Sequence, residues 1–383
     1  MEKVCDYSIC TGCGLCAVQC PKQCIAMSVH GSLEHLYPSI DSITCIDCGL
    51  CQKSCPALHP LEQKSPTMCY AAWSKDEVDY KTSTSGGAAS VLSHYVISQG
   101  GVVYGCAMLP DIAVKHIRVD KHEDIKRLKG SKYVQSSITE ILPLLKQDVN
   151  DGKLALFIGT PCQVAAVSRL FKSQPENLLL VDLICHGVPS VDILRKHVHK
   201  VAEYPHYDNI IFRENSYIVV VVVGGRTVYR RPFNKPRFKD WYINTFFDGY
   251  TYRESCYQCR YACPERVSDM TIGDFWGLGK KVPAPEIPAH PNGCSVILPL
   301  TEKGKLLIKA VSDKMYIYER SVDEAVSGND QLRQPCPLDK RKMFFRLLFP
   351  YIGCPAYKLA VIDKYLLYQL RRIKNQFIRI IKE

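Results

Sequence analysis

Two short stretches of the chain carry the same pattern of cysteines, and that pattern limits what the residues around them can become. The first reads Cys10-Thr-Gly-Cys13-Gly-Leu-Cys16-Ala-Val-Gln-Cys20-Pro21, the second Cys45-Ile-Asp-Cys48-Gly-Leu-Cys51-Gln-Lys-Ser-Cys55-Pro56. Both are C-x2-C-x2-C-x3-C-P. Three thiolates so close together on a tight loop can cap three corners of an iron–sulfur cubane, and Gly14 and Gly49 let the backbone come near the sulfides. The fourth thiolate must come from elsewhere, and the proline after it turns the chain away. Zinc sites pair two C-x2-C units and have no use for a third cysteine in each run.

The two runs resemble those of bacterial two-cluster ferredoxins, in which the fourth cysteine of each run ligates the other run's cluster. The resemblance implies one 4Fe-4S cluster on Cys10, Cys13, Cys16 and Cys55, and a second on Cys45, Cys48, Cys51 and Cys20. Cys5 and Cys24 lie outside the runs and read as small buried side chains.

At 383 residues and 46% hydrophobic content the chain can bury a core well beyond this module. Its 20 cysteines would suggest disulfides in a short secreted protein. Here Met1-Glu2-Lys3-Val4-Cys5 runs straight into the first motif with no apolar signal segment, so a reducing, cytoplasmic compartment is expected. A formal charge of +11 invites a nucleic-acid reading. A cubane with its thiolates carries about −2, so three of them offset about half of that excess, and no nucleic-acid partner is expected. No run of 18 apolar residues is present, so no transmembrane segment is expected.

The expected fold class is an α+β ferredoxin-like N-terminal module followed by an α/β domain with a mixed sheet and a helical C-terminal tail. Residues 1–58 form the module, with strands near 26–29 and 37–40. Residues 59–67, with Pro60 and Pro66, are a linker. Strand and helix patterns alternate from residue 68 onward. The β-branched run at 218–223, followed by Gly224-Gly225, reads as a buried strand entering a hairpin, and residues 209–229 are expected to extend the sheet in antiparallel fashion. The last strand is expected at 295–299, with the helical tail soon after.

Several segments carry chemistry-bearing residues. Ser85-Gly86-Gly87 opens a helix, where backbone N–H groups suit a phosphate, although an ordinary capped helix reads the same way. Lys132, flanked by Ser131, Tyr133 and Gln135, is either a ligand contact or a solvated charge. Cys162 and Cys185 each follow an apolar strand, so parallel packing would bring their loops to one sheet edge, and Cys256 and Cys259 add a paired bite. These four suit a third cluster; zinc and plain buried thiols stay open. Cys263 competes, because with Cys256 and Cys259 it completes C-x2-C-x3-C-P, and it would displace Cys162. Asp274 and Trp276 either orient a substrate or pack their loop.

Taken in order, Ser85-Gly86-Gly87, Gly130-Ser131-Lys132-Tyr133-Val134-Gln135, Gly159-Thr160-Pro161-Cys162-Gln163, Cys185-His186-Gly187-Val188-Pro189-Ser190, Cys256-x2-Cys259 and Asp269-x-Thr271-Ile272-Gly273-Asp274-Phe275-Trp276-Gly277 resemble a family. It is the beta subunits of coenzyme F420 hydrogenases and dehydrogenases, which contain flavin and iron–sulfur clusters. The likeness spans about residues 68–345, and a two-cluster ferredoxin joined to such a domain also occurs in the family. It implies FAD, with phosphates near Ser85, Gly86 and Gly87 and further contacts from Ser131, Lys132, Tyr133 and Gln135. Residues 68–150 and 151–345 would be the N- and C-terminal parts of the flavin-binding domain, the latter holding a third cluster on Cys162, Cys185, Cys256 and Cys259. His186 and Lys132 are the candidate catalytic residues.

Clusters pass single electrons and most organic substrates exchange two; a flavin does either. The expected function is an oxidoreductase passing electrons between a ferredoxin-like carrier, the clusters and FAD, and then a small two-electron substrate, coenzyme F420 or another organic molecule. The alternative is an electron-relay subunit with catalysis on a partner chain. Residues 346–383 form a basic amphipathic tail, in which Leu359, Ile362, Leu366, Leu370, Ile373, Phe377 and Ile380 share one helix face. That face suits its own domain, a partner protein or a membrane surface.

Overall fold

Each cysteine run turns into a single helical turn, Leu15–Val18 and Leu50–Lys53, entered through Gly14 and Gly49 at φ of 75° and 70°. Only glycine adopts that left-handed backbone without a steric cost, which is why it recurs one residue after the second cysteine of each run. Between the runs, β1 (Ile25–His30) and β2 (His35–Ile40) form an antiparallel hairpin, with Ile25 opposite Ile40. The computed structural model describes residues 1–214, 216–233, 240–364, 366–367, 369–371 and 373.

Beyond the module, β3 (Cys69–Ser74), β4 (Val102–Leu109), β5 (Ala113–Val119), β6 (Ala155–Gly159) and β7 (Leu178–Leu183) are followed by β8 (Asn209–Arg213), β9 (Tyr217–Val223) and β10 (Arg226–Pro232). Then come β11 (Met270–Asp274), β12 (Ser295–Pro299) and β13 (Met315–Arg320). Eight of them make one sheet in the order β13-β3-β12-β11-β7-β6-β4-β5. Its centre is parallel, β4 with β6, β6 with β7 and β7 with β11, and both flanks are antiparallel. The mixed sheet is thus present as expected. Its central strands are apolar on both faces because helices cover both. Leu156, Leu179 and Val181 pack with Leu92 and Val96 of the helix Ala88–Ser98. Phe157, Leu178 and Leu180 pack on the other side with Leu142, Leu145, Val164 and Val167. The division at residue 150 falls between β4 and β6, which are neighbours in this sheet.

Two expectations need correction. Residues 209–229 do not extend the main sheet. β8, β9 and β10 form a separate three-stranded antiparallel sheet, joined through Gly224 and Gly225 at φ of 55° and 72°. Its inner residues Ile210, Phe212, Val219 and Val221 have a core of their own, with Ile193, Leu194 and Val198 from the helix Val191–Val201. The strand at 295–299 is not the last either. β13 follows the helix Glu302–Ala310 and pairs with β3 along the sheet's edge; half-exposed edge strands show little apolar alternation.

The tail begins as the helix Lys340–Ile352 and continues as Pro355–Ala360. Phe345, Phe349, Ala356, Tyr357, Ala360 and Val361 join the core of the small sheet. The face expected to pack is the one left outward: Leu359, Ile362, Leu366, Leu370 and Ile373 are exposed, while Phe377 and Ile380 lie outside the described residues. Among the described residues no helix is long and apolar enough to cross a membrane.

The module does not stand apart. Leu15 is fully buried among Tyr104, Ile138 and Leu142 of the α/β domain. A side chain at Gly14 would meet Thr139 Oγ1 at 2.1 Å, whereas one at Gly49 would meet nothing within 4 Å. The first run therefore faces the domain and the second faces away. Leu15→Ala should lower stability by about 2–5 kcal/mol and expose the linker to protease. Leu50→Ala, at the matching place in the second run but exposed, should do neither; denaturation and limited proteolysis under anaerobic conditions compare the two.

Candidate functional site

β6 and β7 are parallel with Gly159 opposite Asp182, so the loops leaving their carboxyl ends emerge side by side. After β6, Thr160 and Gln163 form a capping box at the helix Pro161–Ser168, which fixes Cys162 in the first turn, 3.3 Å from Thr160 Oγ1. Cys185 follows β7. Cys256 and Cys259 belong to the 3-10 turn at Glu254–Gln258 and its cap, where the Cys256 N–H donates to the Arg253 carbonyl at 3.0 Å. All four line one cavity of about 510 Å³, within the usual range for a small-molecule site.

Burial pushes the Cys256 thiol up to about 12 and that of Cys259 to about 11, and it raises Cys162 and Cys185 as well. Every pair among these four is close enough that one thiolate's charge acts on another. Cys263 acts on Cys259 in this way, and its Sγ faces the carbonyls of Arg260 and Glu265. Buried thiols that oppose one another's ionisation become stable thiolates when metal cations stand behind them. Among the described residues no group of three or more His, Cys, Asp or Glu is gathered tightly enough for a single metal ion. A cubane, with an iron behind each thiolate, spreads its ligands more widely. The four-thiol set fits such a group.

In the module, Cys20 of the first run lines one small cavity with Cys45, Cys48 and Cys51 of the second. Cys55 of the second run lies with Cys10, Cys13 and Cys16: Cys10 and Cys55 both bond to the Cys5 thiol, and both act on Cys13 and Cys16. The Cys5 hydrogen bond lowers Cys10 to about 7 and Cys55 to about 6. Cys24 lies 3.3 Å from Cys20. Cys5 and Cys24, which sequence spacing gave no role, thus each touch one thiol set. Cys48 is exposed, while Cys10 and Cys16 are buried.

The same large cavity is lined by Ser85, Gly87, Ser131, Lys132, Tyr133, Gln135 and His186. Gly86 is not among its lining residues. A Cβ there would meet the Ala72 carbonyl oxygen at 2.1 Å and the Ser295 nitrogen at 2.6 Å, so Gly86 lets the turn pack on β3 and β12. Gly87, at φ 84°, caps the helix Ala88–Ser98. Ser85 Oγ donates to the Cys294 carbonyl at 3.0 Å. Lys132 Nζ donates to the carbonyls of Leu128 and Lys129 at 2.9 and 2.8 Å, and its third N–H remains for a bound group. Burial lowers its pKa. Tyr133 stacks on Phe246 with centroids 4.6 Å apart. The Gln135 amide is occupied, donating to the Thr11 carbonyl and accepting from Arg253. Burial lowers the His186 pKa, against the opposing charges of Asp274 and Asp330.

Residues 152–325 match the family model for the C terminus of the coenzyme F420 hydrogenase/dehydrogenase beta chain, and residues 9–58 match that of the 4Fe-4S dicluster domain. Residues 152–325 thus form a C-terminal beta-chain domain of the kind that family model describes. The chain is an iron–sulfur electron-transfer protein with 4Fe-4S clusters in its N-terminal module. No curated protein matches it. Among solved structures, a chain of the F420-reducing NiFe hydrogenase complex from Methanosarcina barkeri is similar over 78% of this chain and 92% of its own, at 19% identity and a TM-score of 0.47.

At the cavity's rim, sequence reasoning singled out Asp274 and Trp276 but missed Arg213 and Tyr217. Arg213 pairs with Asp274 at 2.6 Å and lies 5.1 and 5.9 Å from the rings of Tyr217 and Trp276. Arg213 and Tyr217 come from the small sheet, whose placement no motif records. Arg253 was missed too; its one signal is its place three residues before Cys256. Gly86→Ala should lower stability by about 1–3 kcal/mol through overpacking. The thermal unfolding midpoint, compared with that of the wild type, measures this.

Proposed function

We propose that the chain is an iron–sulfur flavoprotein oxidoreductase of reducing, cytoplasmic compartments, passing electrons between a ferredoxin-like carrier, three 4Fe-4S clusters and FAD, and on to a small two-electron substrate. The observation that carries the reading is the single cavity lined both by Cys162, Cys185, Cys256 and Cys259 and by Ser85, Gly87 and the Lys132 loop. FAD, when bound, supplies the change from one-electron to two-electron chemistry. The chain's own residues then have separate tasks.

Gly87 and the N-terminus of its helix favour phosphate charge. The Lys132 ammonium, held by two carbonyls, offers its third N–H and its charge to an electron-rich ring. His186, kept neutral near pH 7 by burial, can both accept and give a proton at the cavity wall. Arg213, Tyr217 and Trp276 hold a flat substrate at the rim and limit water. Cys48, exposed on the module's far side, marks the surface where a one-electron carrier approaches. Coenzyme F420 is one candidate substrate, and other planar organic acceptors suit the same rim.

A second reading makes the chain an electron-relay subunit. The exposed apolar residues Leu359, Ile362, Leu366, Leu370 and Ile373 favour it, since a partner polypeptide would cover them. Turnover of a substrate by the isolated chain with a reduced carrier would reject this version.

Anaerobic purification with iron, sulfide and flavin measured per chain tests the main reading. About twelve irons and one flavin are expected; about eight irons would retire the third cluster. Cys185→Ala should remove about four irons, while Cys263→Ala should remove none. Lys132→Met should lower flavin content with iron unchanged, and equal flavin in the variant would remove Lys132 from the binding set.

A further inference from the structure

Arg253 is 1% exposed, and no carboxylate pairs with it among the described residues. The neighbouring Glu254 is taken by Arg346. The guanidinium is held by neutral groups: Nε donates to Gln135 Oε1 at 3.1 Å, Nη1 to the Cys10 carbonyl at 3.3 Å, and Nη2 to the Leu36 carbonyl at 2.6 Å. It lies 4.4 Å from the centre of the Tyr37 ring. These contacts engage each of its three nitrogens but leave its charge unbalanced, and a buried charge without a counter-ion is strongly unfavourable.

Its position indicates what supplies the missing charge. The side chain touches the loop of Cys10, and the backbone carbonyl of the same residue accepts from the N–H of Cys256. One residue therefore bridges a ligand loop of the module and a ligand loop of the α/β domain. The first cysteine run is shaped to admit it. A Cβ at Gly12 would meet Arg253 Nη2 at 2.4 Å and Gln135 Nε2 at 2.9 Å. The matching residue of the second run is Asp47, which pairs with the Met1 amine and with no guanidinium among the described residues.

We propose that Arg253 is a positioning residue whose counter-ion is the cluster on Cys10, Cys13, Cys16 and Cys55, and that its fixed charge raises that cluster's reduction potential. The proposal rests on the cluster reading above. Reducing a cluster adds one negative charge, so a desolvated cation bonded to the Cys10 loop would favour the reduced form. The first cluster then lies above the second in potential and is where an electron entering the module comes to rest, next to the α/β domain. Arg253 itself takes no electron.

The test is a potentiometric titration of anaerobically purified full-length wild type, Arg253→Gln and Arg253→Lys, followed by electron paramagnetic resonance with iron counted per chain. In Arg253→Gln the first cluster's signal, assigned as the one that Cys13→Ala removes, should move down by a tenfold or greater change in its reduction equilibrium, 59 mV for one electron, with iron unchanged. Arg253→Lys should stay nearer the wild type. Loss of the first cluster's iron in Arg253→Gln but not in Arg253→Lys would also support the counter-ion. Full iron without a downward shift in Arg253→Gln, or equal iron loss in both variants, overturns it. Wild type without iron in the module would fail the cluster reading itself, before Arg253 is tested.

Discussion

Four buried thiols gathered at one place are what this fold has to accommodate. Cys162, Cys185, Cys256 and Cys259 are drawn together where burial raises every one of their pKa values and each opposes the ionisation of the rest. As bare thiols they gain little from being neighbours; as ligands they gain a great deal. The surrounding structure serves that gathering. The parallel register of β6 and β7 sets two loops side by side, the capping box at Thr160 holds one thiol in a helix's first turn, and the carbonyl of Arg253 holds the Cys256 loop.

The sheet's arrangement follows from the same need. Parallel strands put successive loops at one end, and ligands of α/β sheets collect there. β11 adds Asp274 from the same end, and the small sheet brings Arg213 and Tyr217 over it. The cavity therefore has a sulfur-lined part, a lysine-bearing part and an aromatic rim supplied by different stretches of chain. Lys132 shows how local the control is. The carbonyls of Leu128 and Lys129 fix its ammonium within its own loop, so its charge is placed before any ligand arrives.

Much of this was legible in the sequence, for identifiable reasons. The cysteine runs were readable because three thiols on a tight loop leave few other uses. The apolar strands before Cys162 and Cys185 were readable because buried parallel strands are apolar on both faces. What failed was long-range placement. Nothing local says that β8 to β10 close on themselves around Phe212 and Val219, or that β13 returns to the edge beside β3. Gly86 read as part of a phosphate turn, yet its contacts are the backbones of two distant strands. Arg253 carried no motif, since its partners lie more than a hundred residues away in sequence.

The two cysteine runs are near copies in sequence, and the structure gives them different neighbours. Gly12 and Gly14 are closed in by Arg253 and Thr139, while Gly49 is open and Asp47 stands where Gly12 does. The module is thus keyed like a plug: one run has the cut-away shape that lets it seat, and the other keeps a free face. Turned end for end, the module would set the Cβ of Asp47 where Gly12 leaves room for the guanidinium, so its shape seats in one orientation.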